Sequence, residues 1–197
     1  GLDASNITPY TAWIHGNLTA TGGVPTSVRL YWGPTDGADI ATNWAHTNIL
    51  GIRSTGAFSN LLTGLSPNSP YYYRCYATNL AGETWASFST CFQTLVAPPT
   101  LNNNGGATNI TDADALLAGD LTFDGGEVPS VWIYWGLTDG GNTNDNWANT
   151  NYVFVSSVGP FSNAVYSLQP NSLYYYRCYA TNSAGDGWAP TTTNFTT

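Results

Sequence analysis

The sequence predicts an all-β chain of two tandem antiparallel β-sandwiches, and three observations carry that prediction. Shifting the chain by 103 positions lays residues 6–94 on residues 109–197 without a gap, with 47 identities in those 89 positions, so one fold is present twice. Apolar residues recur at period two within short segments and nowhere at helical spacing. Gly, Pro, Asn and Asp punctuate these segments as they do between strands. At 197 residues the chain fits two domains of about 100 residues each. The expected boundaries are residues 1–95 for the first domain, 96–107 for a linker and 108–197 for the second.

Each repeat opens with an expected short strand, Ala4–Thr8 in the first. Ala12, Ile14, Gly16 and Leu18 then alternate, matched by Ala115, Leu117, Gly119 and Leu121, as in a half-buried strand. Gly22-Gly23 and Gly125-Gly126 turn the chain into Val28, Leu30 and Trp32, or Val131, Ile133 and Trp135, a third strand whose Trp is expected in the core. After the turns at Asp36 and Asp139 comes a long excursion containing Trp44 and Trp147, and Phe58 with Leu61 or Leu62 returns to a strand. The central strand is YYYRCYATN, identical at Tyr71–Asn79 and Tyr174–Asn182. Its first, third, fifth and seventh residues face the core, and Tyr72, Arg74, Tyr76 and Thr78 face outward. Trp85 to Phe92 completes the sandwich. Between the repeats, Leu95–Ala107 reads as an extended diproline at Pro98-Pro99 followed by a flexible polar turn, a linker rather than an element.

The string VRLYWGPTDG from Val28, then NWA, GAFSN, LSPNS and YYYRCYATNLAG, resembles fibronectin type III-like, immunoglobulin-like repeats strung in tandem along large secreted or surface proteins of environmental bacteria. The resemblance covers both repeats almost end to end. It implies a structural tyrosine corner at Tyr71 and Tyr174, each hydroxyl bonding to backbone just upstream. It also implies an extracellular or cell-surface location, and leaves several roles open, because such modules serve as spacers, adhesins and carbohydrate-binding attachments.

Only 8% of residues are charged and the formal net charge is −8, with four arginines and no lysine. That surface repels phosphate backbones and anionic lipid heads, so nucleic acid is not an expected partner. With 28 aromatic residues (8 Trp, 13 Tyr, 7 Phe) the chain folds rather than remaining disordered. No apolar run approaches the ~20 residues of a membrane span, so no membrane insertion is expected. The chain begins at Gly1, and is expected to be a processed form or a piece of something longer.

Catalysis finds no repeated site: Ala118 replaces His15, Asn149 replaces His46, and no nucleophile stands beside a base. No cofactor is expected to be required. The glycine-rich loop carrying Asp139, Asn142, Asn144 and Asp145 is a candidate calcium site by its oxygen ligands, and turn chemistry accounts equally for such a loop. Cys75 and Cys178 are expected as buried thiols. Cys91, whose counterpart is Asn194, is expected to point outward as a candidate intermolecular thiol. Sequons at Asn6, Asn17, Asn109 and Asn194 are candidate N-glycosylation positions. On the outer face, Arg74 and Arg177 either stack between tyrosines and cover the strand, or the rings make a flat platform for polysaccharide, formed by Tyr72, Tyr76 and Trp44 with Tyr175, Tyr179 and Trp147.

Three function classes follow: a structural module of an extracellular assembly, a carbohydrate-binding or adhesion module, and an accessory domain of a secreted enzyme. The first is favoured by the repeat and the lysine-free edges. In the shift of 103, Gly1–Asn6 takes the place after Thr197 that Asn104–Asn109 takes after Thr94. Copies joined that way repeat a heterologous contact, so self-association into a fibre is expected.

Overall fold

A computed structural model describes residues 2–197, and it divides into two compact units, Gly1–Leu95 and Val96–Thr197. Both are all-β. The first contains β1 (Leu2–Ser5), β2 (Thr11–Leu18), β3 (Thr26–Gly33), β4 (His46–Arg53), β5 (Gly56–Thr63), β6 (Pro70–Asn79), β7 (Gly82–Trp85) and β8 (Thr90–Gln93). One sheet has the order β1-β2-β5; the other has the order β4-β3-β6-β7, with β8 following β7 along the same edge of β6. All pairings are antiparallel.

The second unit repeats this with β9 (Thr100–Asn102), β10 (Ala115–Phe123), β11 (Ser130–Gly136), β12 (Asn149–Val153), β13 (Gly159–Val165), β14 (Leu173–Asn182), β15 (Gly185–Trp188) and β16 (Thr193–Thr196). Its sheets are β13-β10-β9 and β12-β11-β14-β15, with β16 on β14. The alternation of the central strand is sharpest here: Tyr174, Tyr176, Cys178 and Ala180 are buried and the residues between them are half-buried. They close a core with Leu117, Leu121, Val131 and Ile133. The first unit buries Ile14, Leu30, Leu62 and Tyr73 in the same way.

Several expectations are corrected. The opening strand is Leu2–Ser5 rather than Ala4–Thr8, because Asn6 takes a left-handed backbone (φ 48°) and Thr8 Oγ1 then caps the N–H groups of Tyr10 and Thr11. The long excursion resolves into a 3-10 turn and a whole strand, β4 or β12. Its mixed polar sequence hid a partly exposed edge strand. The last strand is two: β7 and β8 are separated by a break at Ala86–Ser89. The expected linker 96–107 is an element of the second unit, with Ala97, Leu101 and Asn103 buried and β9 paired to β10.

A polar chain joins the two sheets inside each unit. Trp32 Nε1–H donates to Asn48 Oδ1 at 3.1 Å, and Asn48 donates to Asn60 on β5. Trp135, Asn151 and Asn163 repeat it.

Candidate functional site

The break between β7 and β8 exposes backbone carbonyls on the outer face, and the central-strand arginine occupies it. Arg74 Nε donates to Ala86 O at 2.8 Å and its Nη2 to Ser87 O at 3.2 Å; Arg177 does the same to Ala189 O at 2.7 Å and Pro190 O at 2.9 Å. Each guanidinium lies 6.0 Å from a Trp ring, Trp85 or Trp188, within cation-π range. The arginine therefore clamps a strand break rather than stacking between two tyrosines of its own strand.

Around that clamp the rings pack on one another. Tyr31, Tyr76 and Trp85 form one cluster, with centroids 4.8–5.9 Å apart. Tyr134, Tyr179 and Trp188 form its twin, extended by Trp132 and Tyr152. Tyr31 and Tyr134 are buried within these clusters. A hydrogen bond from Tyr76 Oη to Glu83 raises the Tyr76 pKa, and burial raises that of Tyr179.

Of the expected platform residues, Tyr72 and Tyr175 stand half-buried on the outer face. Trp44 and Trp147 do not present a ring: both are buried, packed on Gly37 or Gly140, and donate Nε1–H to Ala38 O and Gly141 O within their own loop. Sequence reasoning missed Tyr31, Trp85 and their twins. The signal was present, since Tyr31 alternates with the inward Leu30 and Trp32.

The Tyr71 hydroxyl accepts from Ser66 N–H and the Tyr174 hydroxyl from Gln169 N–H, both at 3.0 Å and five residues upstream. In the candidate calcium loop, Asp139 Oδ1 already accepts from Gly141 N–H at 2.9 Å and the Thr192 hydroxyl at 2.8 Å. Asp36 repeats this with Ala38 and Ser89, although its loop lacks the amides of Asn142 and Asn144. The shared role of Asp36 and Asp139 is thus to close a turn and tie it to the residue just before the last strand. No group of three His, Cys, Asp or Glu is assembled among the described residues.

All three cysteines are free thiols: Cys178 buried, Cys75 half-buried, Cys91 exposed opposite Tyr72. Burial pushes the Cys178 thiol up to about 12 and raises Cys75 as well. The sequon residues Asn6, Asn17, Asn109 and Asn194 are all exposed, Asn6 and Asn109 in left-handed turns. His15 Nε2 hydrogen-bonds Ser5 Oγ and His46 stacks on Trp32, so each histidine has a packing role.

Neither a protein-family model nor a curated protein matches this sequence. Among solved structures, the crystal structure of chicken CNTN1 FN1-FN3 domains is similar, with a TM-score of 0.48 and 15% identity over 100% of this chain and 64% of that one. The chain thus spans just under two thirds of that structure's length. On the strand order and pairing of its own two units, the chain is an all-β protein of two antiparallel sandwiches.

Proposed function

We propose that the chain is a non-enzymatic structural module of an extracellular or cell-surface assembly, self-associating into a fibre or surface layer of stacked sandwiches. The observation that carries this reading is the state of the sheet edges. β4 is the outer strand of its sheet and exposes Ile49 (70%) and Ile52 (73%); β12 exposes Tyr152, and Phe154 follows it at 79%. An edge strand leaves a row of backbone N–H and C=O groups open to another strand unless lysine, proline or a covering loop guards it. This chain has no lysine to place there.

Electron microscopy of the native material tests the reading, and a periodic fibre or layer is the expected result. Sedimentation of the purified chain should show association that Ile49→Lys with Ile52→Lys weakens. Dispersed single particles of about 21 kDa, at every concentration and with no periodic assembly in native material, would overturn it.

A second reading, a polysaccharide-binding or adhesion module, is supported by one feature of the second unit. Tyr152 is 57% exposed and meets Trp132 edge-on at 5.6 Å, offering two rings to a sugar face. Titrating glycans against tryptophan fluorescence, with Tyr152→Ala as control, separates it from the first.

A further inference from the structure

In the second unit a cavity of about 510 Å³ is walled by the β11–β12 excursion and the β13–β14 turn. Trp135, Trp147 and Tyr174 line its base, and the exposed Asp145, Asn149 and Gln169 its rim. The shift of 103 gives that base an unchanged counterpart in Trp32, Trp44 and Tyr71. Trp135 meets Tyr174 with ring centroids 6.1 Å apart, and Trp32 meets Tyr71 at 6.2 Å. The first unit then adds a ring of its own: the His46 imidazole stacks on Trp32 with centroids 4.2 Å apart and planes 27° apart. In the second unit the residue at that position is Asn149, which turns its Nδ2 to Trp135 O at 3.5 Å. Both units thus build a seat for a flat ring against tryptophan, and the asparagine leaves it open in the second.

Other differences between the units fall on the polar groups around that seat. Asp145 replaces Thr42, Ser167 replaces Gly64 and Gln169 replaces Ser66, and all three line the cavity and are exposed. The local fold does not demand them. The first unit makes the same 3-10 turn with Thr42, and Ser66 N–H donates to the Tyr71 hydroxyl as Gln169 N–H does to that of Tyr174. What the exchanges add is a carboxylate, a hydroxyl and an amide beside an open indole. A flat apolar face with a few convergent polar groups suits a ring that carries C–H groups on its faces and hydroxyls at its edge. Asp145 on the rim and a net charge of −8 turn away acidic sugars and phosphates.

We infer that this cavity binds a neutral pyranose, one ring of a polysaccharide, stacked on Trp135 where His46 stacks on Trp32. Asp145, Asn149 and Gln169 meet its hydroxyls. The inference does not rest on the ring pair of Tyr152 and Trp132: those rings lie on the outer face of the sheet, whereas Trp135 packs against the core, so either site can fail alone.

The test titrates the whole chain with cellohexaose, mannohexaose and xylohexaose, and separately with 4-methylimidazole, reading the tryptophan indole N–H signals by NMR. Trp135→Phe identifies the Trp135 signal. At least one of the sugars should shift it saturably. Asn149→His puts into the seat the ring that the first unit already accommodates, and should weaken the response at least about tenfold. Gln169→Ala, at an exposed position, should weaken it about threefold, and Tyr152→Ala should leave it unchanged. A response to 4-methylimidazole with none to the sugars overturns the sugar as the ligand. No Trp135 response to either kind of probe, or a sugar response that Asn149→His leaves intact, overturns the site.

Discussion

Gly16 and Gly119 sit beneath phenylalanine rings: a Cβ on Gly119 would lie 2.3 Å from Phe161 Cζ and 2.7 Å from Cys178 Sγ, and Gly16 has the same neighbours in Phe58 and Cys75. Cys178 is fully buried and has no room to shift, so Gly119→Ala should cost about 1–3 kcal/mol by urea unfolding. Gly16→Ala should cost less, because Cys75 borders an open groove and has room to shift. Cys178 sets the behaviour in alkali. Its folded pKa of about 12 lies above the ordinary 9.0, so its contribution is whole below pH 9 and is lost as pH rises from 9 towards 12, where the unfolded chain ionises first. Burial raises Tyr176 too, which adds to the fall in the same direction. Urea midpoints measured at about pH 8 and about pH 10.5 should show this fall, and Cys178→Ala should reduce it.

An element of this fold is held as much by polar fasteners as by apolar area. β8 and β16 are short strands beyond a break, and the Arg74 or Arg177 clamp bonds two consecutive carbonyls within it. Charge-assisted bonds of this fork geometry are not reproduced by a point charge. Arg177→Ala should therefore destabilise by about 1–3 kcal/mol, and Arg177→Lys should recover less than half of that, read by urea unfolding. Asp36 and Asp139 close their turns with hydrogen bonds to backbone and to Ser89 or Thr192, so adding a chelator should leave the melting temperature unchanged. A drop in the melting temperature would restore calcium to the loop.

For the molecule as a whole, the two units share most of their fasteners and differ in how well one end of the central strand is covered. Tyr71 and Tyr73 are buried as Tyr174 and Tyr176 are, but Cys75 and Ala77 are half-buried where Cys178 and Ala180 are fully buried. Apolar and backbone groups lost from cover lower the cost of local opening. Hydrogen exchange should accordingly be faster at Leu18, Cys75 and Ala77 than at Leu121, Cys178 and Ala180. Equal protection would mean that the two units are covered alike in solution.

By itself the sequence determined that there are two sandwiches and which faces of the central strand are buried, with Tyr71 and Tyr174 inward and Cys91 on the neighbouring strand outward. Those properties follow from periodicity and from repetition, which are local or self-referential signals. Tertiary structure alone decided what the diproline segment is. Ala97, Pro99, Leu101 and Asn103 alternate as a strand does, but their prolines and asparagines match a linker equally well, and only the cavity they fill distinguishes the two. It also decided which rings face solvent. Trp44 and Trp147 lie in polar loops that read as display, yet each folds back over a glycine, and Tyr31 and Trp85 meet Arg74 only because three separate strands bring them to one face. Contacts between residues far apart in the chain carry no signal in either segment alone.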